Sequence, residues 1–304
     1  MFAKEFFSNK KILIYGLGIS GKSCFKYFYK KNKVKIFDDN SHLKTAKNKD
    51  LFLNEKEIYE QEFDFIVLSP GIDIKKCKLK KFLKKNIKKI ITELDIFYLR
   101  FPKNTKIAIT GTNGKSTTCQ MIFNILNSSK LDTRLVGNIG KPPLLEKKVS
   151  NKTIFVIEAS SYQIFYSKYF KADYAAIINL SPDHLERHGN LSKYAKAKLK
   201  LIYDQEKNKH SFIEKNNKII NKNILYKYIK SKINKIIYNN ENLFRRRIKN
   251  IYLLDTNNLN NIHFVYSICK KLKFSVNNIF NSLNKFKGLK FRKQTIYNHN
   301  RLKI

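Results

Sequence analysis

The run Ile107-Ala108-Ile109-Thr110-Gly111-Thr112-Asn113-Gly114-Lys115-Ser116-Thr117-Thr118 constrains the fold more than any other stretch. A short β-branched strand enters a glycine-bracketed turn, and a lysine and hydroxyl residues follow at once. Backbone N–H groups in such a turn point inward at a phosphate. The helix that begins there adds the positive end of its dipole, and Lys115 adds a full charge. Ser116 or Thr117 then places a hydroxyl where the Mg²⁺ of a nucleotide sits. The strict phosphate-loop spacing asks for a further glycine where Ile109 stands, so this is a variant.

The same grammar recurs along the chain. Lys11–Tyr15 reads as a buried strand, Gly16-Leu17-Gly18-Ile19-Ser20-Gly21 follows, and a helix runs to about Lys31. Residues 34–37 form a second strand ending at Asp38-Asp39, and 63–68 a third closing on Ser69-Pro70-Gly71. A glycine-rich turn between strand and helix, with an acid at the next strand's end, points to nucleotide or dinucleotide binding. After a Pro-containing link at 99–104, the phosphate-loop strand opens a second series. It comprises strands at 153–157 and 174–179, a helix over 192–203 and an amphipathic helix over 262–273. The expected architecture is α/β: a Rossmann-like parallel-sheet domain over residues 1–100, then a P-loop-type ATPase domain over 101–290. The Lys- and Asn-rich stretch 204–250 admits only loosely placed strands, one of them near 234–238.

Composition narrows the class. The 304 residues suffice for about two domains. With 62 Lys+Arg against 23 Asp+Glu the formal charge is +39, which invites a nucleic-acid reading. The lysines are spread along the whole chain beside many Asn and Ile, as in an AT-rich coding bias, and no nucleic-acid motif accompanies them. Specific nucleic-acid binding is therefore not expected, whereas attraction for polyanionic nucleotides is. Cys24, Cys77, Cys119 and Cys269 lie far apart and read as buried small hydrophobes of a reducing compartment. No apolar leader and no membrane-length run is legible. A cytosolic protein, with no membrane partner and monomeric, is expected.

Three further groups stand at expected strand ends, where open α/β sheets bind ligands. Glu158, after the apolar strand, is placed either to hold Mg²⁺ or to cap the next helix. In Asn179-Leu180-Ser181-Pro182-Asp183-His184-Leu185-Glu186-Arg187-His188-Gly189, His184 suits a metal or a phosphate oxygen, although an Asp-His pair in a loop is more often a solvated turn. Lys198 is one lysine among many, and spacing alone does not single it out.

Together these segments resemble the Mur ligases, the ATP-dependent amide-bond-forming enzymes of peptidoglycan precursor synthesis. TGTNGKST, Gly137-Asn138-Ile139-Gly140, EASSYQ, NLSPDHLERHG and YAKAKLK occur in the family's order. GLGISGKS, Asp38-Asp39, Leu68-Ser69-Pro70-Gly71-Ile72 and Thr92-Glu93-Leu94-Asp95 are similar to the branch that joins D-glutamate to UDP-N-acetylmuramoyl-L-alanine. The resemblance implies that ATP phosphorylates the substrate carboxylate and that the D-glutamate amine attacks the acyl phosphate. By the same resemblance Gly111, Thr112, Asn113, Gly114, Lys115, Ser116 and Thr117 hold ATP, with Arg292 beside it. Ser116 or Thr117 with Glu158 holds one Mg²⁺, and His184 helps hold a second. Lys198 is the lysine that the family carbamylates, and Asn138 contacts substrate near the transferred phosphoryl. Lys115, Lys198, His184 and Asn138 are thus the implied catalytic set. Ile19, Ser20, Asp38, Asp39, Ser69, Pro70 and Gly71 are implied to bind the uridine diphosphate part.

Two departures carry expectations. Where the family writes a His-Asn-x-x-Asn helix start beside the adenine, this chain has His263-Phe264-Val265-Tyr266-Ser267, so both amides are expected to be missing and base binding weakened unless Ser267 substitutes in part. The sequence also stops at Ile304, so 291–304 reads as a stub and the family's third α/β domain is expected to be absent, with slow or no D-glutamate addition. A binder of UDP-sugar and ATP that does not ligate, and a Mur ligase for another amino acid, are the alternatives.

Overall fold

The computed structural model describes residues 5–40, 43 and 49–289, with the backbone of 298–299 and 302–303. Arg292 lies outside the described residues. Two parallel sheets dominate. The first has the order β2-β1-β3-β4, from β1 (Lys11–Tyr15), β2 (Lys33–Phe37), β3 (Phe65–Leu68) and β4 (Ile90–Ile91). The second has the order β10-β9-β8-β5-β7-β6. Its strands are β5 (Thr105–Thr110), β6 (Thr133–Gly137), β7 (Ile154–Glu158), β8 (Tyr174–Ile177), β9 (His210–Glu214) and β10 (Lys232–Ile236). Every pairing within both sheets is parallel. The strands read as apolar runs because helices cover both faces: Ile12, Leu13, Ile14 and Tyr15 of β1 are all fully buried.

Strand order places the site. The chain leaves β5, builds β6 and β7 on one side, then crosses to build β8, β9 and β10 on the other. β5 is therefore the switch point, and the crevice beyond its C-terminal end is where such a sheet binds ligands. Helix α1 (Ile19–Phe28) follows β1 and helix α2 (Lys115–Ser128) follows β5. α2 buries Ile122, Ile125 and Leu126 against α3 (Thr256–Lys271) and α4 (Val276–Asn284).

The link expected at 99–104 begins inside a helix and is less free than Pro102 suggests. Residues Glu93–Arg100 form a helix packed between the two sheets, with Phe97 edge-on to Phe155 at 4.8 Å. Asp95, fully buried, accepts from the backbone N–H of Lys168 (2.7 Å), Tyr169 (2.7 Å) and Phe170 (3.1 Å). Lys106 then reaches back from β5 to the carbonyls of Phe101 (2.6 Å) and Asn104 (2.7 Å). These bonds fix the first sheet relative to the second.

Local differences from the sequence reading have physical causes. β6, β9 and the two-residue β4 went unread, and β10 begins two residues before the expected strand, where Lys and Asn interrupt the apolar pattern at the edge of the second sheet. Cys24, Cys119 and Cys269 are buried as expected, whereas Cys77 is partly exposed. Among the described residues no helix is long and apolar enough to cross a membrane.

Candidate functional site

The phosphate loop hangs from the end of β5, and two glycines make its path possible. Gly114, with φ +78°, starts α2, and a Cβ there would meet the Asn261 amide at 2.4 Å. Asn179, at the end of β8, braces the turn. Its side-chain oxygen accepts from the N–H groups of Thr112 (3.0 Å) and Asn113 (2.9 Å), and its amide donates to the Asn113 carbonyl (3.0 Å). The Lys115 ammonium folds onto the loop carbonyls of Gly111 (3.1 Å) and Thr112 (2.7 Å).

Beside the loop opens a cavity of about 670 Å³ that Lys115, Ser116, Asn138 and Glu158 share. Glu158 ends β7 and is 2% exposed. One of its carboxylate oxygens accepts from the Asn138 amide (3.0 Å), while the other is buried and has no hydrogen-bond partner among the described residues. A buried carboxylate oxygen left unmatched is costly, and a hard cation in the cavity is the partner such a group fits. The hydroxyl alternative also narrows: Ser116 opens on this cavity with Glu158, whereas Thr117 opens on a different one, beside Asn258 and Asn261. Among the described residues no three His, Cys, Asp or Glu side chains cluster as a protein-only metal cage. The donor set instead suits an ion shared with a phosphate.

A second cavity, of about 250 Å³, is lined by Lys115 and Asn138 together with His184, Lys198 and, from the first sheet, Pro70 and Gly71. Lys198 lies on the helix Leu191–Tyr203, is 2% exposed, and donates to the Gly111 carbonyl (2.8 Å) and the Thr110 hydroxyl (3.3 Å). Burial first, and the nearby Lys115 charge second, bring its amine down to about 7. His184 adopts the left-handed conformation, φ +51°, and is half exposed with Asp183 at 3.4 Å. That backbone is uncommon for a residue with a side chain and is the kind of strain functional loops retain.

In the first sheet the glycine-rich turn and the Ser69-Pro70-Gly71 turn abut. The Ser69 hydroxyl donates to the Gly16 carbonyl at 2.6 Å, and a Cβ on Gly16 would touch Ser69 at 2.7 Å. Asp38 spends its two oxygens on the N–H groups of Leu17 (2.6 Å) and Asn40 (2.8 Å), so it shapes the turn. Asp39 accepts from the Tyr15 hydroxyl at 2.9 Å. Ile19 is largely exposed at the start of α1, with Ser20 beside it.

The expected helix start at His263, and with it the absence of two asparagines beside the loop, is corrected. His263 is not at a helix start; it lies in the middle of α3, 3% exposed, against Tyr238 and Phe244. α3 begins after Asp255, and its first turns carry Asn258 and Asn261 at the family's spacing, both lining a cavity of about 540 Å³ next to Gly114 and Thr117. The apolar run at 262–273 hid the start, because an Asn-rich first turn reads as loop. Burial holds the His263 imidazole down to about 4. Between pH 6.5 and 4 the unfolded chain takes up a proton at this residue that the folded chain does not, so folded stability falls as pH falls across that window. His263→Phe is expected to flatten that slope in urea unfolding followed from pH 4 to 7. His188, also brought down to about 4, and His210, lowered by burial, act with the same sign, and Glu93, raised to about 7, and Asp95, also raised by burial, oppose them.

Comparison with known proteins agrees with this geometry. The profile described as Mur ligase middle domain matches residues 109–285, and that of the Mur ligase MurD-like N-terminal domain matches 10–91. The chain is 32% identical to the UDP-N-acetylmuramoylalanine–D-glutamate ligase of Rickettsia felis, over 95% of this chain and 68% of that protein. It is 35% identical to the enzyme of the same name from Buchnera aphidicola subsp. Schizaphis graminum, over 97% of this chain and 70% of that one. The chain thus spans about two-thirds of these relatives' length. Among solved structures, the UDP-N-acetylmuramate:L-alanyl-gamma-D-glutamyl-meso-diaminopimelate ligase from Neisseria meningitides superposes with a TM-score of 0.59 at 15% identity, covering 93% of this chain and 100% of that one. The UDP-N-acetylmuramate-alanine ligase of Thermotoga maritima superposes with a TM-score of 0.54 at 18% identity, covering 96% and 72%. These two likenesses support the fold.

Proposed function

We propose, for a chain that belongs to the Mur ligase family, that it takes part in the ATP-dependent joining of D-glutamate to UDP-N-acetylmuramoyl-L-alanine in the cytosol. One observation carries the reading. Lys115 and Asn138 line both the phosphate-loop cavity and the cavity that reaches Pro70 and Gly71 of the first sheet. A γ-phosphate held by the loop and a carboxylate held from the first sheet would therefore meet at the same two side chains.

The residues divide the work. Gly114 to Ser116, at the start of α2, present N–H groups and a dipole to the ATP phosphates, while Asn179 holds the N–H groups of Thr112 and Asn113. Lys115 swings from the loop carbonyls to the transferred phosphoryl and neutralises the charge that spreads over its oxygens. Ser116 and Glu158 would hold Mg²⁺, which supplies further charge neutralisation at the phosphates. Asn258 and Asn261 line the cavity where the base would sit; the Asn258 amide donates to the Tyr252 carbonyl (2.9 Å) and Asp255 (2.8 Å), which leaves its oxygen to meet the base edge. Asn138, anchored on Glu158, offers an amide to the reacting carboxylate, and His184 offers an imidazole from the opposite wall. The amine of D-glutamate then displaces phosphate from the acyl phosphate.

The test is phosphate release from ATP by the full chain, with UDP-N-acetylmuramoyl-L-alanine and a panel of amino acids. Release that requires both nucleotides and rises with D-glutamate above all others is expected. A different preferred amino acid would identify another branch of the family. Tight binding of both nucleotides without any turnover would leave a binding protein.

A further inference from the structure

The two half-sites are carried by different sheets, and one side chain on the site's own rim ties them together. Arg187 sits in the short helix Leu185–His188, three residues beyond His184. Its guanidinium lies over the Tyr162 ring, 3.8 Å from the centroid. From there it donates to the Ile72 carbonyl at 2.5 Å, in the turn that leads away from Ser69-Pro70-Gly71. Lys75 of that same segment returns a bond to the Arg187 main-chain carbonyl at 3.0 Å. The two hydrogen bonds run in opposite directions between the sheets.

The support beneath Arg187 is built. His188 stacks under Tyr162 at 5.3 Å with 10° between the planes, and its Nε2 lies 3.0 Å from the Ser161 hydroxyl. His188 is 7% exposed, so this base does not shift with solvent. On the other side, Ser69 is bonded to Gly16 of the glycine-rich turn. A continuous path therefore runs from the glycine-rich turn through Ser69 and Ile72 to Arg187, Tyr162 and the loop of His184.

We propose that Arg187 is a positioning residue that holds the first-sheet substrate turn in register with the phosphoryl-transfer cavity. This rests on the reading above that the two turns of the first sheet hold the UDP-substrate. Phosphoryl transfer needs the attacking carboxylate oxygen within roughly 3–3.5 Å of its target, and a misplacement of about 1 Å costs on the order of 100-fold. A planar guanidinium stacks and donates in its own plane at once, which an ammonium cannot do.

Arg187→Met and Arg187→Lys, made in the full chain, test this. Acyl phosphate formation is followed by trapping with hydroxylamine, which needs ATP and UDP-N-acetylmuramoyl-L-alanine but no D-glutamate. Calorimetry gives the affinity for each nucleotide, and a thermal melt reports the fold. Both variants are expected to bind both nucleotides within about twofold of the wild type while kcat for trapping falls roughly 30- to 100-fold. Lys75→Met, an exposed change, is expected to move kcat the same way by less. Trapping by Arg187→Met at the wild-type rate overturns the proposal. So does a defect confined to KM for the UDP-substrate, which would make Arg187 a ligand contact. If the wild type itself binds neither nucleotide, it is the underlying reading that falls, taking this inference with it.

Discussion

Lys115→Ala is expected to lower phosphate release by about 10³-fold or more, because the developing charge on the transferred phosphoryl loses its nearest cation. ATP affinity should fall much less, since the loop N–H groups, the α2 dipole and the Asn258 and Asn261 pocket are left in place. Far-UV circular dichroism should be unchanged, because the ammonium bonds to carbonyls of the loop and not to the core. Lys115→Arg is not expected to rescue: its broad planar head replaces a point charge inside a turn already braced by Asn179. Equal rates for wild type and Lys115→Ala would remove the loop from the reaction. The substitution also reaches Lys198, whose amine the Lys115 charge helps to bring down. Alanine at 115 therefore leaves Lys198 more fully protonated, and effects at the two positions should not add.

Most of the fold was legible because burial on both faces makes parallel strands read as apolar runs. KILIY, FIVL and IFVIE carry that signal with little interruption. Legibility failed where the sheet thins to its edges and where polar residues start an element. β10 (KINKI) alternates lysine with apolar residues at the edge of the second sheet, and α3 opens on Thr256-Asn257-Asn258. The second failure displaced the expected amide positions by six residues, from 264 and 267 to 258 and 261, although Asp255 before the asparagines is a helix-capping signal in its own right. In the site, Gly111 to Ser116, Glu158 and His184 stand at strand ends, where topology alone makes them candidates. Asn179 stands there too, but its role is to brace a turn, and no pattern announces which loop atoms a side chain will reach. Lys198 lies mid-helix among many lysines. Burial, not spacing, distinguishes it, and burial is a property of the folded chain.

Lys198 carries the other large effect. An ordinary lysine has a pKa near 10.4, so at pH 7 only about 0.04% of it is the neutral amine that attacks carbon dioxide. A buried lysine brought down to about 7 is roughly half neutral at that pH, about a thousandfold more. We expect this amine to be carbamylated, which would turn a cation beside Gly111 into an anion facing the phosphoryl cavity. Both Lys198→Ala and Lys198→Arg are expected to lose on the order of 10³-fold in turnover. The arginine variant separates the two roles, since it keeps a positive charge yet forms no carbamate. In wild type, ¹³C-bicarbonate should give a carbamate carbon signal that both variants lack, and removing dissolved carbon dioxide should slow turnover reversibly. The signal should weaken as pH falls below about 7, where the amine is protonated in the fold. Lys198→Ala should fold, because between pH 7 and 10.4 the unfolded chain binds a proton here that the folded chain does not, so this lysine costs stability near neutrality; Lys198→Arg carries a charge it cannot lose into the same buried position and should melt lower. An arginine variant with full activity, or a wild type indifferent to bicarbonate, would leave Lys198 as a buried structural amine bonded to Gly111 and Thr110.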